Sequence, residues 1–307
     1  MHYTVMKNES ILGLNLKNEG VYVDATLGYA GDSSEILKRV KKGFLFAFDQ
    51  DIDAIKASDN LLKSIGGNYL IIKSNFLYIK EELEKRNIYS VDGILFDLGV
   101  SSPQLDTIER GFSFHNDAIL DMRMDKSNPI SAKDIINTYD EKKLSDIIFR
   151  YGEEKYAKNI ARNIVRKRKE KKITTTLELV DIIKMSMPYK DTIKSHPARR
   201  TFQAIRIEVN HELDILEDSL RKALSILNVG GRIVVITFHS LEDKIVKDVF
   251  KSVSETPKKI RGLPNIPDEY LPDFKIINTR PIVPTEEELE ENYRSRSAKL
   301  RIIERIK

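Results

Sequence analysis

Three aspartates stand at the ends of short apolar runs in the first hundred residues. The runs are Val21–Asp24, Phe44–Asp49 and Gly93–Leu98, and the acids are Asp24, Asp49 and Asp97. An acid at the end of a second strand can accept both hydroxyls of an adenosine ribose, and Asp49 follows Asp24 by 25 residues. After Asp24 comes Ala25-Thr-Leu-Gly-Tyr-Ala-Gly-Asp32. Its glycines, Gly28 and Gly31, would let backbone approach a ligand just ahead of a helix N-terminus. The spacing is not G-x-G-x-x-G, and by itself a structural turn explains it equally well. A third run, Tyr69–Ile72, leads to Ser74-Asn-Phe76, where Phe76 could lie against an adenine ring. The fourth leads to Leu98-Gly-Val-Ser-Ser-Pro-Gln104. Each is ordinary turn chemistry alone. Together, a glycine-bearing turn and acids at successive strand ends indicate an adenosine-containing cofactor.

The elements that must position these residues alternate as in a parallel sheet with crossover helices. The spacing predicts strands at the four runs above and helices over Ser34–Arg39, Asp53–Leu62 and Leu77–Lys85. Asp32 and Glu35 have capping-box spacing. From Ser101 to about Asn210 only helical patterns occur, over Lys133–Asn137, Glu141–Phe149, Glu153–Arg168 and Thr176–Met185. Alternation then resumes. Leu213, Leu216, Leu220, Ala223, Leu224 and Leu227 share a helix face, Gly230-Gly231 reads as a turn, and Ile233–Phe238 reads as a buried fifth strand. Ser240 and Asp243 suggest a second capping box, and Phe274–Asn278 and Lys299–Glu304 two last strands. The expectation is one seven-stranded, mostly parallel α/β domain, residues 1–105 and 211–307, interrupted by an all-helical insertion over 106–210.

Composition narrows the chemistry. The 307 residues are 41% hydrophobic and 32% charged, as expected for a soluble globular protein with a substantial core. There is no cysteine, which excludes disulfides, thiolate metal sites and cysteine nucleophiles. No His, Asp and Glu grouping has metal-ligand spacing, so no metal is expected. Met1–Ser10 lacks a signal-peptide pattern and the strongest apolar run, Ile233–Phe238, is too short for a bilayer, so a cytoplasmic protein without membrane contact is expected. Net charge is only +4, but Arg150–Lys172 holds ten Lys/Arg against three Glu. That density suits a polyanion, although a solvated helix face explains it equally well. Nothing in the sequence sets the oligomeric state.

Longer blocks then become recognisable. Asp97-Leu-Gly-Val-Ser-Ser-Pro-Gln-Leu-Asp106, Glu109-Arg-Gly-Phe-Ser-Phe114 and Leu120-Asp-Met-Arg-Met-Asp125 resemble the RsmH (MraW) family of ribosomal small-subunit RNA cytosine-N(4) methyltransferases. The resemblance continues through Tyr151-Gly-Glu-Glu154, His196-Pro-Ala-Arg-Arg-Thr-Phe-Gln-Ala-Ile-Arg206, Val209-Asn210, Phe238-His-Ser-Leu-Glu-Asp243 and Arg294-Ser-Arg-Ser-Ala-Lys-Leu-Arg301. It implies a class I (Rossmann-like) methyltransferase core with a helical insertion and S-adenosylmethionine as cofactor. The implied substrate is one cytidine in the decoding region of 16S ribosomal RNA, within the small subunit or its late precursor. By motif position it implies cofactor contacts from Ala30, Gly31, Asp32, Asp49, Phe76, Asp97 and Gln104. The family usually has Gly-Gly-His where this chain has Ala30-Gly31-Asp32. An alanine should restrict the turn, and the aspartate should bring a fixed negative charge near the cofactor's carboxylate.

The implied reaction is in-line methyl transfer to an amino nitrogen whose lone pair is delocalised into the cytosine ring. It needs alignment, an acceptor for an amino hydrogen, and a base drawn out of its stack. Asp97 is the candidate catalytic residue for orienting the amino group, although the Asn/Asp-Pro-Pro-aromatic motif is missing and cofactor binding alone would also account for it. Phe112 and Phe114 could stack on the base or fill a core. Arg199, Arg200 and Arg206 could hold phosphates, with a structural ion pair the alternative for Arg206. His239 follows a buried strand but reads better as structural than as a base. Two rivals share parts of this pattern: a nicotinamide-dependent dehydrogenase, and a non-catalytic ribosome-assembly factor whose cofactor turn has decayed.

Overall fold

A computed structural model describes residues 4–193, 195–256 and 267–307. They fall into two compact units, Met1–Gly99 with Leu213–Lys307, and Val100–Glu212. The first unit is built on seven strands: β1 (Val21–Asp24), β2 (Phe44–Asp49), β3 (Tyr69–Lys73), β4 (Val91–Asp97), β5 (Leu227–Thr237), β6 (Phe274–Ile276) and β7 (Lys299–Arg305). Their order across the sheet is β3-β2-β1-β4-β5-β7-β6. The pairs from β3 to β5 are parallel, whereas β7 runs antiparallel to both β5 and β6. The expected α/β class and the seven strands are therefore present.

Helices cover both faces of this sheet, which is why its strands are apolar at successive positions instead of alternating. On one face, Val23, Phe46, Phe48, Ile94, Phe96, Ile233 and Val235 pack with residues of helices Ile79–Glu84, Glu212–Ser225 and Ser240–Ser254. On the other, Tyr22, Leu45, Ala47, Leu95, Val234 and Ile236 pack with helices Lys7–Leu14, Gly31–Arg39 and Ile52–Lys63.

Three local expectations need correcting. Gly230-Gly231 is not a turn outside the sheet but lies inside β5. Val91 pairs with Leu227 and Gly93 with Arg232, so the ladder slips there, with Gly230 at φ +80°. A bulge of this kind looks like a turn in sequence because it uses the same residue. The Asp32–Glu35 capping box is absent: the helix starts at Gly31, placing Asp32 inside its first turn, and the N-cap is Ala30 with no side-chain bond. The Ser240–Asp243 box is displaced by one residue. His239 Nδ1 accepts from the Glu242 amide, and the Glu242 carboxylate accepts from the His239 amide.

The second unit is helical, its longer helices being Ala132–Thr138, Glu141–Gly152, Ala157–Glu170, Thr176–Met185 and Arg199–Asn210. Ser131 with Asp134 and Thr175 with Glu178 close capping boxes, and Asp140 caps the helix that follows it. The helix expected from Glu153 starts only at Ala157, because Glu153 takes the left-handed conformation at φ +50° and ends the helix before it. Several recognisable blocks act here as internal ties. Asn210 accepts from the Met124 amide and donates to the Met122 carbonyl, both at 2.8 Å. Buried Arg110 donates to the carbonyls of Arg123 and Met124 at 2.8 and 3.1 Å.

Candidate active site

The order of strands reverses between β1 and β4, and ligands of open α/β sheets bind outside the carboxyl ends of the strands at such a point. Asp24 ends β1 and Asp97 ends β4. The Asp97 amide donates to Thr26 Oγ1 at 2.7 Å, which ties the two strand ends together. Asp24 is buried and accepts from the Thr26 amide at 3.0 Å and from Ser33 Oγ at 2.6 Å.

Asp49 ends β2 with its two oxygens already oriented. One accepts from the Gly28 amide and the other from the Asp51 amide, both at 2.8 Å. A carboxylate oxygen has two acceptor directions, so each keeps one for a hydroxyl donor, as a ribose would require. Burial pushes this carboxyl up to about 7 against the opposing pull of those two amides. Phe76 opens a short turn capped by Asn75 and meets Phe96 edge to face with centroids 5.7 Å apart.

The turn between Asp24 and Asp32 has left-handed backbone at Gly28 (φ +49°) and Ala30 (φ +62°). The expectation that alanine would restrict this turn is therefore corrected. Ala30, fully buried, takes the conformation that glycine adopts freely, at a cost of roughly 1–2 kcal/mol. At Gly31 a Cβ would come within 1.9 Å of Thr4 Oγ1, so any larger residue would have to displace the Thr4 side chain.

Asp32 is not the solvated charge expected at a helix start. It is only 6% exposed, and its Oδ1 has no hydrogen-bond partner. Burial, then Asp97 and Asp24, push its carboxyl well above the ordinary range, with Lys7 pulling the other way. Asp97 Oδ1 is likewise buried and unpartnered. Burial, followed by Asp24, Glu242 and Glu288, pushes Asp97 up to about 8. Two buried acceptors thus point at no protein donor, in a setting that resists negative charge. A ligand that brings a cation or N–H groups would satisfy them.

Sequence reasoning missed Glu242 and Glu288. Glu242, 2% exposed, accepts from the Phe238 amide at 2.8 Å, and its His239-x-x-Glu242 spacing was the available signal. Glu288 accepts from the Met6 amide at 2.8 Å, but within Glu286–Glu291 it looks like any solvated acid.

The remaining candidates are spread along the rest of the chain. Gln104 Oε1 accepts from the Ser101 amide at 3.0 Å, closing a capping box. Phe112 is core, whereas Phe114 is partly buried and stacks on His196 with centroids 4.3 Å apart. Arg206 forms a two-pronged pair with Glu212, both contacts at 2.8 Å, so its structural reading holds. Arg200 is exposed and donates to the Glu153 carbonyl at 3.0 Å, and Arg199 is exposed. His239, 8% exposed in its side chain, caps a helix. On helix Ala157–Glu170, Lys158, Arg162, Arg166 and Lys169 are exposed or half-exposed at i, i+4, i+8 and i+11, whereas Arg168 turns inward to the Ile136 carbonyl at 2.7 Å. Among the described residues no group of three or more His, Asp or Glu side chains could hold a metal ion, and no helix is long and apolar enough to cross a membrane.

A glycine-bearing turn and strand-end acids at the switch point of this seven-stranded sheet form a Rossmann-like site for an adenosine-containing cofactor, the arrangement that class I methyltransferases use. The profile described as the MraW methylase family matches residues 1–306. The ribosomal RNA small subunit methyltransferase H of Exiguobacterium sibiricum is 52% identical over 307 residues, covering 100% of this chain and 98% of that protein. Among solved structures, an rRNA methylase from Streptococcus thermophilus has a TM-score of 0.45 at 12% identity, covering 100% of this chain and 99% of that one. A SAM-dependent O-methyltransferase from Thermotoga maritima has a TM-score of 0.42 at 9% identity, covering 100% and 68%. The chain belongs to the MraW methylase family, and it is an S-adenosylmethionine-dependent methyltransferase. Neither the dehydrogenase nor the non-catalytic reading is favoured.

Proposed function

We propose that this enzyme methylates the exocyclic amino nitrogen of one cytidine in the decoding region of 16S ribosomal RNA, met in the cytoplasm within the small subunit or its late precursor. The substrate half of this reading rests on full-length identity to a relative named for small-subunit ribosomal RNA. The cofactor half rests on one observation: acids at the carboxyl ends of β1, β2 and β4 gather around a glycine-bearing turn, with two buried carboxyl oxygens lacking any protein donor.

S-adenosylmethionine supplies an electrophilic methyl group on a sulfonium. Asp49 would accept the ribose hydroxyls, and its two backbone donors hold its oxygens still for that task. Phe76 would lie against the adenine. The backbone of Ala30 and Gly31, with Asp32, would line the amino-acid end, and Gln104 would add a further contact by its motif position. Asp97 would orient the cytosine amino group. Raised to about 8, it holds a proton at neutral pH until a cation arrives, so it fits a positioning role better than that of a base ready in the free enzyme. Phe114 is the better of the two aromatics for stacking on a displaced base, because Phe112 is used in the core. The helical unit would serve RNA recognition. Along its basic stripe, i to i+4 steps of about 6 Å suit cations tracking successive phosphates.

The decisive experiment is mass spectrometry of the decoding-region fragment from a deletion strain, with and without the gene restored. Restoration should return one methyl group on a cytidine amino nitrogen. An unchanged fragment would defeat the reading. Assembled or partly assembled small subunits should be methylated, with little turnover on free cytidine or a short oligonucleotide.

A further inference from the structure

Asp24, Asp32 and Asp97 come from the end of β1, the first turn of the helix after it, and the end of β4. None of the three makes an ion pair with a described residue. Asp24 is satisfied by Thr26 and Ser33, whereas Asp32 and Asp97 each keep a buried oxygen without a partner. Among the described residues the charged groups acting most on Asp32 are Asp97, Asp24, Lys7 and Glu35, and those acting most on Asp97 are Asp24, Glu242 and Glu288. Glu35 is occupied elsewhere, by Lys38 at 2.8 Å and Arg39 at 2.6 Å. Acids on adjoining elements, with oxygens shut off from water and no ion pair to a described residue, resist ionising together without a counter-charge, so the free enzyme retains a proton among them.

We propose that Asp24, Asp32 and Asp97 form a proton-holding cation subsite, which gives up a proton when the cationic methyl donor binds and so prefers the sulfonium donor to its neutral thioether product. The inference rests on the cofactor reading above and extends it. The donor carries a sulfonium and an ammonium against one carboxylate, a net charge of +1, whereas the product has lost the sulfonium charge. A buried anionic cluster favours the first and has much less hold on the second, which promotes product release. The aspartate at position 32, where the family usually has histidine, then strengthens the discrimination instead of marking a decayed turn.

Asp49 also holds its proton up to about 7 and would respond to ribose hydroxyls. Donor and product share the same ribose, so the difference between them isolates the three-acid cluster. The experiment is titration calorimetry of the full-length protein with S-adenosylmethionine and with S-adenosylhomocysteine, in buffers of different ionisation enthalpy, from pH 6 to 8. Donor binding should release about one proton more than product binding near pH 7. The donor-to-product affinity ratio should rise with pH, by up to about tenfold per unit. Asp32→Asn should abolish the extra proton and flatten the ratio, and Asp32→His should lower the ratio further by adding a cation. Equal proton counts for the two ligands in the wild type, or an Asp32→Asn protein that keeps the pH-dependent ratio, would overturn the proposal. A wild type that binds neither compound would instead overturn the cofactor reading itself.

Discussion

Replacing Asp49 with alanine should weaken both cofactor binding and the fold, and the penalty to the fold should shrink as pH rises. Asp49 accepts the Gly28 and Asp51 amides at 2.8 Å each, and Gly28 belongs to the turn that precedes helix Gly31–Arg39. Alanine leaves two partly buried N–H groups without acceptors, worth about 1–3 kcal/mol each where water cannot replace them. A strand-end position alone suggests a fold that would not notice, but these two bonds say otherwise. The sign of the pH effect follows from linkage. The folded-state value of about 7 lies above the ordinary 3.8, so the folded protein binds the extra proton between those values. Asp49's contribution is therefore fully present below 3.8 and is lost as pH rises through 7, at no more than about 1.4 kcal/mol per unit. Between pH 5.5 and 7 the stability difference between wild type and Asp49→Ala should narrow by about 2 kcal/mol. Urea denaturation of both proteins at several pH values measures this directly. Loss of the ribose acceptor should raise the Kd for S-adenosylmethionine by about ten- to a hundredfold. A stability difference that stays constant with pH would refute the assignment of the raised carboxyl to Asp49. Unchanged cofactor affinity would remove Asp49 from the site.

Ala30→Gly should be close to neutral, since relief of left-handed strain offsets the lost buried methyl and the added chain entropy, whereas Ala30→Val should cost more than about 2 kcal/mol in thermal or urea unfolding. Charge reversal of Lys158, Arg162, Arg166 and Lys169 should lower RNA affinity and make its salt dependence shallower by roughly 0.7–0.9 in log–log slope for each phosphate no longer neutralised, with cofactor affinity unchanged; an unaltered slope would mean a merely solvated helix face. Arg168 must be left out of that set: Arg168→Ala should cost about 1–2 kcal/mol of stability by freeing the Ile136 carbonyl, whatever it does to RNA binding. Arg301→Ala should destabilise by about 1–3 kcal/mol, because it leaves Asp243, which Arg301 meets at 2.7 Å, with only the longer contact to Lys299 at 3.4 Å among the described residues. Burial opposes ionisation of Asp243, but Arg301 outweighs it and holds the carboxyl below its ordinary value. That contribution is present above 3.8 and lost as pH falls through the lowered value, so acid unfolding should shift to higher pH in the variant.

The sequence by itself determined the sheet. Strands buried on both faces must be apolar at nearly every position, and helices between them must repeat every 3.6 residues, so both patterns are visible without coordinates. Asp49 and Asp97 were visible for the same reason, because a polar residue ending a buried strand has few places to point. What the sequence left undecided was every feature that depends on which distant groups meet. Gly230-Gly231 looks the same in a turn or a bulge until the register against β4 is known. His239 could cap a helix or serve a site until Glu242 is seen closing its box. Arg168 and Arg166 are equivalent in a basic run, yet Arg168 is the one that finds the Ile136 carbonyl inside the helical unit. Asp32 reads as a fixed charge at a helix start, because burial and the approach of Asp24 and Asp97 have no trace in residue type. Charge state in a folded protein is set by the surroundings, and those three acids meet only once the strands stand side by side.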